Sequence, residues 1–134
     1  MKKLSLFMYV GLVLLQWASV AQARSSQGLQ DAYQKHKSDI QVEGSGRVVR
    51  VLNDDNRGSR HQKFILKLAS GLTILIAHNI DLAPRISTIS EGHMVQFYGE
   101  YEWNTKGGVI HWTHRDPNNQ HVHGWLKHKG RLYQ

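Results

Sequence analysis

From Gln41 onward the apolar residues recur at every second position, and that period commits most of the chain to β-strands. The pattern is cleanest between Met94 and Trp103, where Val95, Phe97, Tyr101 and Trp103 share one face and Gln96, Tyr98, Glu100 and Glu102 the other. Four more segments read the same way. Gln41 to Leu52 is a first strand, interrupted by Gly44-Ser45-Gly46, where a glycine pair permits a bulge or bend. After the polar turn Asn53 to Arg60 comes His61 to Ala69, which closes through Ser70-Gly71 into Leu72 to Asn79. That third strand is apolar on both faces and belongs at the centre of a sheet. Pro84 and a Ser/Thr-rich run make 80–92 an irregular crossover or short helix, and a turn at Asn104 to Gly107 leads to a fifth strand, Gly108 to Arg115. The rest reads as a polar extension.

Five strands arranged as long bent strand, hairpin, crossover and hairpin predict an all-β fold, a five-stranded OB-like Greek-key barrel whose first strand curves to serve both sheets. A small open sandwich is the alternative. Ahead of the barrel, Ser25 to Asp39 places Leu29, Ala32, Tyr33 and His36 at helical spacing, so residues 24–40 form a short amphipathic helix or leader. Residues 1–23 read as a signal peptide: Lys2 and Lys3, an apolar run from Leu4 to Leu15, then Ala21-Gln22-Ala23 as an A-x-A cleavage site. The run is short for a membrane span, so the expectation is a secreted or periplasmic protein beginning at Arg24. Residues 41–134 then make one barrel domain with a His- and Trp-rich C-terminal extension. The chain has no cysteine, so its stability comes from the core, helped where needed by a metal. Its formal charge of +7 stays positive without Lys2 and Lys3, which favours an acidic polymer such as nucleic acid or an acidic glycan as partner.

Chemistry concentrates in Gly108 to Gly130, which holds five of the nine histidines together with Trp112, Trp125 and Asp116. Without cysteine, a transition-metal site must be built from imidazole and carboxylate. His111, His114 and His121 with Asp116 are the candidate ligands for a divalent metal ion. Strand alternation separates His111 from His114 unless a bulge intervenes or the strand ends between them. A solvated histidine-rich edge is the plain alternative. Glu100 and Glu102 read as a solvated strand face unless those histidines prove adjacent.

A second constellation is Asp54-Asp55 with Arg60-His61. Paired acids hold a hard cation, a histidine takes a proton from water, and an arginine steadies a phosphate. His61, Arg60 and Asp55 are therefore the candidate catalytic residues of a metal-dependent phosphodiesterase or nuclease, with Arg85, Arg115, Trp112 and Trp125 contacting substrate. The same residues also suit an ordinary polar hairpin. His78, Asn79 and Asp81 at the end of the third strand cap the crossover or join Arg85 in a site. Nucleophilic catalysis is disfavoured, because there is neither a cysteine nor a Gly-x-Ser-x-Gly elbow. The alternative to an enzyme is a non-catalytic OB-type module that binds nucleic acid, acidic glycan or metal, with Tyr98, Trp112, Trp125 and basic side chains as its surface.

The phrases GSRHQKFIL (Gly58 to Leu66), LIAHNIDLAPR (Leu75 to Arg85), GEYEWN (Gly99 to Asn104) and GGVIHWTHRDP (Gly107 to Pro117) resemble an uncharacterised family of small exported bacterial proteins, a domain of unknown function. The resemblance spans nearly all of the chain after Ala23 and implies an exported protein, with no activity or catalytic residue attached. Arg115 and His93 depart from the pattern, Arg115 where a further histidine is expected and His93 where barrels often place aspartate.

Overall fold

The described residues form seven strands, the longer ones on the period-two alternation, and five of the seven close on themselves. The computed structural model describes residue 20 and residues 24–134, so the signal-peptide reading lies almost wholly outside the described residues. The strands are β1 (Ile40–Val51), β2 (His61–Lys67), β3 (Thr73–Asn79), β4 (Met94–Glu102), β5 (Val109–His111), β6 (Trp125–His128) and β7 (Arg131–Tyr133). β1 pairs with β2, β2 with β3, β3 in parallel with β5, β5 with β4, and β4 again with β1. That circuit is a closed five-stranded barrel, as the sequence pattern predicts, and all pairings but β3–β5 are antiparallel.

β1 serves both sides because it changes partner midway. Ile40 to Arg47 run against Tyr101 to Met94, and Arg47 to Val51 against Lys67 to Phe64. The register slips between Val48 and Arg50, beyond the glycines rather than at them. Gly44 instead makes room for the core. A Cβ there would lie 2.7 Å from the Phe97 ring, so the bare backbone lets this large ring pack against the strand.

The core is one cluster inside the barrel, including Val48, Phe64, Leu66, Ile74, Ile76, Val95, Phe97, Tyr101, Ile110 and Leu126. Tyr101 satisfies its hydroxyl by donating to the Gly107 carbonyl at 2.8 Å. The crossover forms no helix. Ile86 instead drops fully buried into the core, and its backbone amide and carbonyl are both met by the buried Gln62 amide at 2.9 and 2.8 Å.

Helix α1 covers 24–34 and stops short of the expected Asp39, because His36 turns to a φ of 52°. Leu29 and Ala32 are its buried face. Trp103 anchors the end of the helix, donating its indole N–H to the Tyr33 carbonyl at 2.9 Å and stacking on His36 at 4.0 Å. Among the described residues no helix is long and apolar enough to cross a membrane.

The C-terminal stretch corrects the sequence reading. β5 ends at His111 rather than Arg115, and the supposed polar extension contains the hairpin β6–β7, which pairs with β4 from Val95 to Tyr98. Lys129 and Gly130, at φ 49° and 77°, make the two-residue turn.

Candidate metal centre

Because β4 sends Val95, Phe97 and Tyr101 inward, it sends Tyr98, Glu100 and Glu102 outward. Register places His111 of β5 directly opposite Glu100, so the histidine and the two acids share the outer face. His111 Nε2 lies 3.2 Å from Glu100 Oε2 and 3.4 Å from Glu102 Oε1, and ligand atoms of the three residues all lie within 4.8 Å of one another.

The fourth member arrives by a loop. Trp112 adopts a φ of 56°, which breaks the strand and turns the chain outward. Asp116 then folds the loop back: its carboxylate accepts the backbone amides of Asn118, Gln120 and His121 at 3.0, 2.9 and 2.7 Å. Those amides, that of Asn118 foremost, hold its carboxyl below the usual range. The loop lands His121 on β4, with Nε2 3.3 Å from Glu100 Oε1 and its ring flat on Trp112 at 3.9 Å. One carboxylate thus sits between two imidazoles.

The proton count at this cluster is informative. His121 Nδ1 faces the Val122 carbonyl at 2.8 Å, which fixes the ring hydrogen on that nitrogen. In the neutral ring, Nε2 then turns a lone pair toward a carboxylate oxygen, a contact that only a cation or a second proton between them makes favourable. Burial, and then a hydrogen bond that the protonated Glu102 carboxyl donates to the neighbouring Asp39 carboxylate, push the Glu102 carboxyl up, outweighing His111. No ion pair among the described residues brings a lysine or arginine to Glu100 or Glu102. Two imidazole nitrogens and two carboxylates are a donor set for a divalent transition metal.

The family model described as Protein of unknown function (DUF3465) matches residues 11–134, a span that includes the whole barrel and this cluster. The chain belongs to that family. No curated protein matches it.

Of the four ligands expected from sequence, the DUF3465 fold sets His111 and His121 beside different oxygens of Glu100, with His121 outside the group whose ligand atoms lie within 4.8 Å of one another, and leaves the other two away from it. Asp116 spends its carboxylate on loop amides. His114 is buried, with Nδ1 2.7 Å from the Arg115 carbonyl and its ring tilted on Trp112. Glu100 and Glu102 stand beside His111 instead. Their alternation with Val95 and Phe97 is legible in the sequence, but their proximity to His121 depends on a loop whose path no local pattern encodes. Trp125 packs tilted against Tyr98 at 6.1 Å on the same outer face, and Arg115 is exposed.

The expected catalytic constellation is dispersed by its own charges. Asp55 and His61 are neighbours only through paired backbone hydrogen bonds of 2.9 Å. The Asp55 carboxylate takes the Arg57 amide and guanidinium, Arg60 binds Asp81 at 2.7 Å, and Arg85 pairs with Asp54. His61 turns Nδ1 to the Ser59 carbonyl. Asn79 accepts the Asp81 amide, so these two residues shape the crossover. His78 lies fully buried between the Thr113 hydroxyl at 2.8 Å and the Pro84 carbonyl at 3.0 Å, and burial pulls it down to about 4.

Proposed function

We propose that this DUF3465 chain is an exported OB-type binding barrel that holds one divalent transition-metal ion through Glu100, Glu102, His111 and His121. The observation that carries the reading is the Glu100 carboxylate set between the Nε2 atoms of two histidines, with Glu102 sharing His111 and no lysine or arginine paired to either acid among the described residues. Nitrogen and oxygen donors in this ratio suit zinc, copper, nickel or iron. The Val122 carbonyl supports the role by keeping the proton of His121 away from the ligating nitrogen. Export rests on the leader sequence, and the basic excess favours an acidic polymer as the partner, with Trp112, Trp125 and Tyr98 beside the ion as contact surface.

A hydrolytic reading draws on one feature of the same cluster. The side chains of His111 and Glu102 are 34% and 35% exposed, so a bound ion would keep contact with solvent and be able to hold a water, the requirement of a metal-dependent phosphodiesterase. Arg60 and Arg85 are already paired with Asp81 and Asp54, so of the arginines expected to hold phosphate only the exposed Arg115 forms no ion pair among the described residues, which favours binding over catalysis.

The test is calorimetric titration of the purified protein with zinc, followed by single-turnover assays on DNA and RNA with and without chelator. Stoichiometric binding that Glu100→Gln lowers tenfold or more supports the site. Unchanged affinity in Glu100→Gln and in His121→Ala refutes it. Chelator-sensitive cleavage would restore the hydrolase.

A further inference from the structure

His93 and His128 meet at the opposite end of β4 from the metal cluster. Nδ1 of His93 lies 2.9 Å from Nε2 of His128, and the rings stack at 5.1 Å with 26° between their planes. His128 is the last residue of β6, only 2% exposed, and stands opposite Val95 in the ladder. His93 ends the crossover and precedes β4. The contact therefore ties the C-terminal hairpin to the barrel wall.

From this geometry we propose that the His93–His128 pair is an acid-opened latch for the β6–β7 hairpin. Two neutral imidazoles make one N–H···N bond, one ring donating and the other accepting. A first added proton goes to an outward nitrogen and leaves that bond intact, now charge-assisted. A second proton must occupy the accepting nitrogen itself. It removes the bond and sets two cations against each other within a half-buried contact, which costs more than it would in water.

The surroundings sharpen the effect. Lys129 follows His128, Arg131 stands across the turn from it over the Tyr133 ring at 5.0 Å, and Lys127 precedes it in β6. From β1, Arg47 donates to the Gly92 carbonyl at 2.8 Å. Glu91 in the crossover is the nearby acid in sequence, and it is exposed and forms no ion pair with either histidine among the described residues. Burial, His93 and Lys129, in that order, lower the affinity of His128 for a proton.

Opening has a consequence at the metal cluster. The loop that delivers His121 is pinned at its far end by the Gly124 amide, which donates to the His114 carbonyl at 2.8 Å immediately before β6. A hairpin that lifts from β4 takes that end with it, so acid loosens His121 from Glu100. This coupling rests on the metal-binding reading, whereas the latch does not.

The test is amide hydrogen exchange across the acid range, corrected for the intrinsic pH dependence of exchange, on wild type and His93→Gln. A glutamine amide can donate to neutral His128 and, turned over, accept from charged His128, so it keeps a bond without a second charge. In wild type, exchange at Leu126 and His128 should quicken tenfold or more as the pH falls below the imidazole range, while Phe64 and Ile76 stay protected. In His93→Gln the step should move down by a pH unit or more. The same step in both proteins, or continued protection of β6 down to about pH 4, overturns the latch. If the variant does not fold, wild-type histidine nitrogen NMR decides, because the accepting nitrogen must gain its proton in the same step as hairpin release. Zinc titration of both proteins tests the coupling, and a chain that binds no zinc at any pH removes the metal reading while leaving the latch result standing.

Discussion

His78 shows how a single side chain sets a pH limit on the fold. The Pro84 carbonyl requires a donor, so Nε2 carries the hydrogen and Nδ1 accepts from Thr113. Both nitrogens are satisfied by the neutral ring, and a proton added to Nδ1 would face a buried hydroxyl. With a folded value of about 4 against 6.5 unfolded, the unfolded chain binds the extra proton first. The contribution is therefore complete above pH 6.5 and is lost as the pH falls towards 4, amounting to about 3 kcal/mol at 1.36 kcal/mol per unit. Denaturant midpoints at pH 7 and pH 4.5, with NMR titration of the His78 ring, check this, and a ring that titrates near 6.5 in the folded state contradicts it. Asp55, Asp81 and Asp116 are held below 3.8 by backbone amides, so the stability they add is present above that value and disappears at lower pH, in a separate window. At the proposed metal site, His111→Ala is expected to weaken zinc binding by 10-fold or more while leaving the barrel folded, since His111 is at the surface and outside the core.

At the scale of elements, the sequence reveals the strands well and the C-terminal architecture poorly. β2, β3 and β4 alternate between a packed and a wetter face, so composition marks them within two residues at each end. β6 and β7 are four and three residues long, too short for a period to show. β5 reads as longer than it is because Trp112, Thr113 and His114 continue its apolar tone, whereas the backbone turns at Trp112. The loop from Trp112 to Gly124 has no periodicity at all, and it decides which histidines meet. Gly124 is where that path is most constrained: a Cβ would fall 1.8 Å from the Trp112 carbonyl oxygen and 2.6 Å from that of Tyr98. Two backbones cannot yield as a side chain would. Gly124→Ala should cost about 1–3 kcal/mol and lower zinc affinity by displacing His121. Gly28→Ala in α1 is the control, with nothing within 4 Å of its Cβ, and should be neutral or slightly stabilising. Equal melting temperatures for the two variants would show that the loop is not held as described.

For the whole molecule, the proposed metal site would connect segments that sequence alone leaves apart: β4 and β5 carry Glu100, Glu102 and His111, and a returning loop carries His121. An ion held by all four binds the folded barrel and not the unfolded chain, so it stabilises by mass action, about 2.7 kcal/mol when free metal stands at 100 times Kd. For a domain near 100 residues, each kcal/mol moves Tm by about 4 °C or slightly more, so saturating zinc should raise Tm by roughly 10 °C. The rise should vanish with chelator. His121→Ala should lose most of it, because one ligand and the loop's attachment go together, whereas His114→Ala should keep it, since that ring faces the Arg115 carbonyl and Trp112. Acid should abolish the increment before the barrel melts, because ligation requires deprotonated histidines and carboxylates. Scanning calorimetry of the three proteins with zinc and with chelator is the measurement. An equal rise in wild type and His121→Ala would place any bound zinc elsewhere on the chain.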